Sequence, residues 1–147
     1  MPAQRIDPLK NFRFILEIDG ITQAGFREVT IPDSAQDIVE YREGNEKTAT
    51  PRKLPGQVKY GNITLKWGVT DSLELYKWRE LVESGKIKDA RRNIAIIILD
   101  DEGNPAARWE FRDAWPSKYD APDLNATANE VAIETLEIVH EGMKRVK

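Results

Sequence analysis

The residue types that most often carry out acid–base and nucleophilic chemistry are scarce in this chain. His140 is the single histidine, so any serine–histidine or cysteine–histidine mechanism would have to use it. Cysteine is absent, which removes thiol nucleophiles, disulfides and thiolate zinc sites together, and no nucleophile-elbow sequence G-x-S-x-G is present. Because His140 lies in a segment that alternates with glutamates, we interpret it as a surface or interface residue and predict no catalytic site.

An acidic cluster, Asp100-Asp101-Glu102, offers the ligand type of a metal site or the carboxylates of an acid–base pair. The cluster precedes Gly103-Asn104, however, and carboxylates beside such residues are typical of a solvated turn. We therefore predict a hairpin turn at this position, and no metal or cofactor for the chain.

Basic residues are concentrated in the middle of the chain, close to Tyr60 and Trp67. Basic and aromatic residues together can form a surface for single-stranded nucleic acid. The net charge of −3, with Glu43 and Glu46 close by, disfavours that interpretation. The basic residues concerned are Lys47, Arg52, Lys53, Lys59 and Lys66.

Composition and length predict one globular domain over residues 1–147. The chain is 40% hydrophobic and 32% charged, and a chain of this length buries enough surface for a single core. The longest apolar run, Ile94–Leu99, suits a buried strand and is too short for a membrane span, so we expect no membrane anchoring. The opening MPAQRIDPLKNF lacks the apolar core of a secretory signal.

Period-two alternation predicts strands along most of the chain. Leu16 and Ile18 alternate with charged residues, which is the pattern of a strand with one buried face. The run Val58–Trp67 changes phase, which we attribute to a β-bulge at Gly61-Asn62. The strand Ala107–Trp115 is predicted to end at Pro116. The other predicted strands are Ala24–Ile31, Ile38–Arg42 and Ile94–Leu99.

A helix is predicted over about residues 71–84. Asp71, with Glu74 three residues later, resembles a capping box, and Gly85 is a typical residue for the end of a helix. The apolar residues fall on one helical stripe. They are Leu75, Trp78, Leu81 and Val82.

The segment Asn129–His140 fits two structures. Its glutamates have helical spacing, with apolar residues on the opposite side. Many of its other residues are β-branched, which favours a strand. These residues are Val131, Ile133, Thr135, Ile138 and Val139. The pattern alone leaves helix and strand open.

The connection between the strands that end at Arg42 and begin at Val58 is unusually long. About fifteen residues separate them, mostly polar and interrupted by Pro51, Pro55 and Gly56. Structureless connections beyond about twelve residues are uncommon in compact domains and tend to be functional. We therefore predict a protruding arm over about residues 43–56 that binds something outside its own domain, which points to assembly.

Long stretches of the sequence resemble the tail tube proteins of contractile phages and phage-like injection systems. The arm reads REGNEKTATPRKLPG and is followed by KYGNITLKWGVTDSLELYKWR. The opening DPLKNFRFILEIDGITQAGFREV and the closing RWEFRDAWPSKYDAPDLNATANEVAIETLEIVHEG resemble the same family. The similarity covers nearly the whole chain. It is greater to the tubes of extracellular contractile injection systems and simpler phages than to the type VI secretion tube protein.

The resemblance implies a mainly β fold, a small β-barrel or sandwich with one flanking α-helix and a long protruding arm between strands. It also implies that the closing block pairs as a strand, which favours the strand interpretation of Asn129–His140. Six copies would form a ring whose inward strands line a pore. The rings would stack into an inner tube, and contraction of a surrounding sheath would drive that tube through the target envelope.

The resemblance further implies partners. They are other copies of the chain, a sheath protein, a baseplate or hub, and tape measure and terminator proteins, with DNA or protein as cargo in the lumen. Assembly would occur in the bacterial cytoplasm, and the product would be a virion tail or an extracellular injection particle. Phage and injection-system origins are left open.

In the family the arm reaches an adjacent ring or subunit. Carried over to this sequence, the implied contact residues are Glu43, Gly44, Asn45, Glu46, Lys47, Thr48, Arg52, Lys53, Leu54 and Pro55.

Together, the residues and the resemblance predict a structural, non-enzymatic protein that assembles with itself. The alternative is a monomeric or dimeric ligand-binding β-barrel, in which the arm over residues 43–56 is a lid and tryptophans line a pocket.

Overall fold

The structure is a computed structural model. It describes residues 13–19, 21–23, 26–44, 50–69, 73–127 and 131–147, with the backbone alone at 21–23 and 26. Most of these residues are in antiparallel strands. The strands are β1 (Phe14–Ile18), β2 (Ile21–Gln23), β3 (Phe26–Thr30), β4 (Ser34–Tyr41), β5 (Arg52–Tyr60), β6 (Ile63–Gly68), β7 (Arg92–Leu99), β8 (Pro105–Asp120), β9 (Ile133–Val139) and β10 (Gly142–Arg145). The helices are α1 (Glu74–Glu83) and α2 (Ile87–Ala90).

The main sheet has the order β2-β1-β7-β8-β9-β6-β3, with β10 paired to β8. The predicted alternation in β1 is confirmed, because Leu16 and Ile18 are buried between half-buried neighbours. Strand β7 is apolar on both faces, as predicted, and lies between β1 and β8. The predicted strand at the end of the chain is also confirmed, since β9 pairs in register with β6.

Strand β8 joins the two halves of this sheet. Its first part pairs with β7, and its last part, from Trp115, pairs with β9. Asp113, at the change of partner, has a φ of 50°, and the register shifts beside it, which indicates a bulge. The prediction that Pro116 ends the strand is wrong: β8 continues to Asp120. Pro116 lies beside a second register shift, and such irregularities are among the few places where a strand tolerates proline.

The two halves of the sheet enclose one core. From the first half come Leu16, Ile96 and Phe111, and from the second Leu65 and Leu136, all nearly inaccessible to solvent. Because the inward residues of both halves belong to one contiguous cluster, the sheet closes on itself as a small β-sandwich. This confirms the predicted fold class.

Helix α1 packs on this sandwich through the predicted stripe. Trp78 is 2% exposed, and its Nε1 donates a hydrogen bond to the Ala90 carbonyl oxygen at 2.6 Å. The helix ends as predicted: Gly85 has a φ of 81°, and the N–H of Lys86 bonds the carbonyl oxygen of Leu81 at 2.9 Å. The start differs, because Leu73 is the N-cap residue and makes no side-chain capping bond. Asp71 lies outside the described residues.

The middle of the chain differs most from expectation. Strands β4 and β5 form a separate two-stranded sheet, here called the hairpin arm (residues 34–60). The arm is therefore not a structureless connection over residues 43–56, since residues 52–56 belong to β5. The predicted bulge at Gly61-Asn62 is also wrong. At those residues the chain passes from β5, in the arm, to β6, in the sandwich.

Candidate assembly surface

The hairpin arm forms because its two strands pair along most of their length. Ser34 lies opposite Tyr60 at the base, and Tyr41 lies opposite Arg52 toward the tip. The register shifts in between, where Gly56 passes Asp37 so closely that a Cβ on Gly56 would lie 2.8 Å from the Asp37 carbonyl oxygen. Glycine is therefore required by close approach at this bulge.

Both faces of the hairpin arm are apolar and exposed. Cross-strand partners share a face, so Ile38 lies with Pro55 on one side, and Val39 lies with Leu54 on the other. Ile38 is 64% exposed and Leu54 is 46% exposed. Polar contacts occur between these apolar positions, including an exposed ion pair from Lys59 Nζ to Asp37 Oδ2 at 3.2 Å. A two-stranded sheet with neither face covered is only marginally stable in water.

The structure separates the predicted arm residues into three groups. Glu43 and Gly44 follow the end of β4, where the Tyr41 hydroxyl is 3.4 Å from a Glu43 carboxylate oxygen. The second group lies in β5 and consists of Arg52, Lys53, Leu54 and Pro55. The third group lies outside the described residues and consists of Asn45, Glu46, Lys47 and Thr48.

Sequence reasoning missed four exposed apolar residues of this surface. They are Ile38, Val39, Tyr41 and Val58. Each was assigned to a predicted strand of the domain, and none was identified as a contact residue. The sequence did contain a sign of this exposure, because apolar and charged residues occur at both the odd and the even positions of these strands. A strand with one buried face would have apolar residues at alternate positions only.

His140 ties the base of the hairpin arm to the sandwich. Its Nε2 lies 3.0 Å from the Gly61 carbonyl oxygen, and its ring contacts Tyr60 of β5 and Phe111 of β8. The imidazole is half-buried, and its Nδ1 is inaccessible and makes no hydrogen bond within the described residues. The residue is thus part of the packing at the junction, whereas the sequence suggested a surface or interface position.

The acidic cluster forms the predicted turn between β7 and β8. One oxygen of Asp100, Oδ1, accepts hydrogen bonds from the backbone N–H groups of Glu102 and Asn104. Within the described part of the chain, no three acidic or histidine side chains are grouped as a metal site would require. Nor is any helix in that part long and apolar enough to cross a membrane.

The outward face of the first half of the sheet is charged. Arg108 of β8 lies 3.2 Å from a Glu17 carboxylate oxygen and 3.0 Å from one of Glu110. Hydrogen bonding to Glu110 and the charge of both glutamates raise the pKa of Arg108 above its usual value, against a smaller opposing effect of burial. The predicted division of β1 into a core face and a wet face is therefore present.

Comparison with known proteins agrees with this architecture. The family model described as T4-like virus tail tube protein gp19 matches residues 10–144. No curated protein sequence matches the chain.

Solved structures with the same fold include chains of an extracellular contractile injection system and of the anti-feeding prophage. A chain of the PVC extracellular contractile injection system sheath-tube complex in the extended state is 27% identical, with a TM-score of 0.81, over 94% of this chain and 90% of that chain. A chain of the anti-feeding prophage baseplate has a TM-score of 0.82 at 24% identity, over 97% of both chains. Hcp1 from Flavobacterium johnsoniae has a TM-score of 0.55 at 16% identity, over 92% of this chain and 95% of that chain.

Proposed function

Because this chain belongs to the T4-like tail tube protein family, whose members are structural tube subunits, we propose that it forms six-membered rings that stack into the inner tube of a contractile tail or injection system. A 6-fold symmetrised baseplate contains a chain of the same fold, which supports the ring of six. Residues 1–147 would form one tail tube domain, with the hairpin arm projecting from it.

The observation that supports this proposal most strongly is the exposure of the hairpin arm on both faces. Ile38 on one side, and Val39 and Leu54 on the other, remain about half exposed or more within the described part of their own chain. Exposed contiguous apolar surface marks sites of association. Neighbouring subunits would cover these faces and thereby stabilise the arm, so assembly and arm formation would be coupled.

The proposed partners follow from the assemblies that contain similar chains. These assemblies are described as a sheath-tube complex, a sheath/tube terminator and a tube-terminating cap, besides the baseplate. We infer contacts of this chain with a sheath, a baseplate or hub, a terminator and a tape measure protein, and a lumen that conducts DNA or protein. The tube would assemble in the bacterial cytoplasm and act in a phage tail or an extracellular particle.

Replacing the core of the arm tests the proposal. In one variant, residues 36–58 are exchanged for a short Gly-Ser linker. Resizing a flexible loop changes the closure free energy by only about 0.6 kcal/mol per doubling of length, so the sandwich is expected to fold. Circular dichroism should retain the β signal, while electron microscopy should show rods for the unchanged chain and none for the variant.

A point variant gives the matched control. Leu54→Lys places a charge on one face of the arm and should abolish rods, whereas Asn104→Lys, at the exposed turn between β7 and β8, should leave them intact. Light scattering should find rings of about 101 kDa, six copies of 16.8 kDa, for the unchanged protein. A folded unchanged protein that stays a monomer at high concentration, with no rings or rods, would overturn the proposal.

The ligand-binding alternative is not supported by the geometry. A lid must cover a cavity, but the hairpin arm is a separate sheet exposed on both faces. The tryptophans predicted to line a pocket do not do so either, because Trp67 and Trp78 are buried in the core.

A further inference from the structure

The hairpin arm is attached to the sandwich by two short passages of chain, here called the root of the arm. The first passage is residues 31–33, and the second is Gly61-Asn62. The N–H of Gly61 donates a hydrogen bond to the Asp33 carbonyl oxygen at 3.1 Å, so the two passages are tied to each other. Asn62 Nδ2 donates to Glu137 Oε1 of β9 at 2.7 Å, and His140, directly after β9, lies against Gly61. The direction in which the arm leaves the sandwich therefore depends on a few contacts with the end of β9.

The contact of His140 with Gly61 fixes the form of the imidazole. Nε2 lies 3.0 Å from the Gly61 carbonyl oxygen, and since a carbonyl oxygen only accepts hydrogen bonds, Nε2 carries the proton. In the neutral ring Nδ1 is then without a proton, and this atom is inaccessible to solvent and has no hydrogen-bond partner among the described residues. The ring packs against Tyr60 and Phe111, with 5.5 Å and 5.0 Å between ring centroids. The site therefore fits a neutral imidazole.

Protonation of the ring would put a second N–H at Nδ1, where the described part of the chain offers no acceptor. Burying an N–H group without a partner costs free energy, and the cost is greater when the group is charged. Opening the root would expose the ring to water, which solvates both N–H groups. Proton uptake is therefore more favourable with the root open than with the root closed, so acid shifts the equilibrium toward the open root.

The charged groups around the ring do not supply the missing acceptor. Asp33 and Glu141 are exposed, and Glu137 already accepts the bond from Asn62. The carboxylates attract a positive charge and the basic groups repel one, but within the described residues none of them bonds Nδ1. Exposed charges are screened by water and salt, so the unpartnered Nδ1 decides the balance. The titratable and charged groups on the segments around the ring are Asp33, Lys59, Tyr60, Arg112, Glu137 and Glu141.

We propose that His140 positions the hairpin arm, and that protonation of its imidazole releases the root. The neutral ring holds the arm in one direction, whereas the imidazolium allows the arm to move relative to the sandwich. His140 is thus a positioning residue, because it acts through the arm. The consequence for assembly rests on the proposed tube function: subunits should join rings and rods less readily in acid than at neutral pH.

The absence of cysteine from the chain allows the direction of the arm to be measured with two spin labels. Lys53→Cys on the arm and Asn104→Cys at the turn between β7 and β8 place thiols at two exposed positions. Double electron–electron resonance then gives the distribution of distances between the two labels in the unassembled full-length subunit. The measurement is made at pH 7.5 and at pH 5.5, about one unit on either side of the ordinary midpoint of imidazole titration. We expect a narrow distribution at pH 7.5 and a broader one at pH 5.5.

Two substitutions in the labelled chain separate the hydrogen bond from the packing of the ring. His140→Gln keeps an N–H donor and does not titrate, so its distribution should be narrow at both pH values. His140→Phe keeps a ring between Tyr60 and Phe111 but has no donor, so its distribution should be broad at both. Circular dichroism checks that the sandwich remains folded. The comparison of the two pH values with His140 in place requires neither substitution.

Several results would overturn the proposal. With His140 in place, a distribution of equal width at both pH values would show that protonation does not release the root. Broadening of His140→Gln in acid would assign the effect to a carboxylate. A narrow distribution for His140→Phe, or a broad one for His140→Gln at pH 7.5, would show that the bond to Gly61 does not position the arm.

The tube function is tested separately from this clamp, because the distances are measured on unassembled subunits. If the unchanged chain builds neither rings nor rods, the tube function fails, and the distance distributions still decide the role of His140. If rods form equally well at pH 7.5 and pH 5.5, although the distribution broadens in acid, the release of the root stands and its consequence for assembly is wrong.

Discussion

Strands β5 and β6 follow one another in the chain, with two residues between them, yet their environments are opposite. In β6, Ile63, Leu65 and Trp67 are buried at every second position. In β5 the apolar residues Leu54 and Val58 are exposed, and the strand pairs only with β4. Apolar content is therefore not what distinguishes the sandwich from the arm.

The difference lies in what covers each strand. Strand β6 has β3 and β9 on its two sides and the core beneath it. Among the described residues, strand β5 has one neighbouring strand and no layer on either face. The core of the sandwich is thus covered within one chain, whereas the proposed assembly would cover the arm with other chains. Substitutions in the sandwich should therefore change the stability of isolated subunits, and substitutions in the arm should change assembly.

One pair of identical substitutions gives the largest expected contrast. Leu65 is 0% exposed and Leu54 is 46% exposed, and both are leucines in strands. Leu65→Ala should lower the free energy of unfolding by about 2–5 kcal/mol, because it leaves a cavity in the core. Leu54→Ala should change it by no more than about 0.5 kcal/mol in the unassembled subunit, as is usual for a surface substitution.

Urea denaturation of both variants under conditions that prevent assembly measures this contrast. Leu54→Ala is also expected to weaken rod formation, which Leu65→Ala should do only through loss of folded protein. Equal destabilisation by the two substitutions would show that the arm and the sandwich form one cooperative unit, and the proposed division between them would be wrong.

A second pair of substitutions tests the arm by itself. Alanine at position 56 would press its Cβ against the backbone of Asp37, whereas at position 44 nothing lies within 4 Å of the added atom. Gly56→Ala should weaken the hairpin by about 1–3 kcal/mol, the usual cost of forcing atoms into occupied space. Gly44→Ala serves as the matched control and should stay within about 0.5 kcal/mol.

Amide hydrogen exchange resolves this effect, because it measures local opening separately from global unfolding. Faster exchange in β4 and β5, with unchanged exchange in β7 and β9, is the expected result for Gly56→Ala. If exchange accelerated equally in the sandwich, the arm would not be energetically separate from it.

The strands of the sandwich could be predicted from the sequence because their periodicity reports burial within the same chain. Leu16 and Ile18 in β1, and the continuous apolar run of β7, follow this rule. For β9 the periodicity was ambiguous, and the family resemblance decided correctly for a strand. The tube function likewise came from the resemblance, since no pattern of residues by itself specifies a tube.

The arm could not be predicted in the same way. Pro55 and Gly56 are typical of loops, yet they lie at a bulge in β5, where both are tolerated. Likewise, Pro116 did not end β8, because the strand changes partners beside it. Such features depend on pairing between distant residues, and single-sequence periodicity carries no information about pairing.

The smallest expected effect lies in the sandwich at Tyr119, near the end of β8, where burial is only partial. Burial, and to a lesser degree the charge of Glu134 and a hydrogen bond with it, raise the pKa of Tyr119 above its ordinary value near 10. A pKa that is higher in the folded state favours the neutral phenol there. The resulting stabilisation is fully present at a pH below the unfolded pKa, where both states keep the phenol proton. At higher pH the unfolded state ionises first, because the folded state resists ionisation. Unfolding therefore becomes easier as pH rises through about 10.

Tyr119→Phe removes this titration and tests its sign. Below the unfolded pKa, both states of the unchanged protein keep the phenol proton, and the stabilisation is fully present. As pH rises through the raised folded pKa, the unfolded state has already ionised, and the stabilisation is lost. The melting temperature of the unchanged protein should therefore fall more than that of Tyr119→Phe when the pH rises from 8 to 11. The upper limit of this range is about one unit above the ordinary tyrosine pKa. Glu134→Gln should show an intermediate fall, since it removes the nearby charge but keeps the burial.

Parallel melting curves for all three proteins would show that Tyr119 ionises equally readily in the folded and unfolded chains, and that this end of the sandwich is as open to water as the arm.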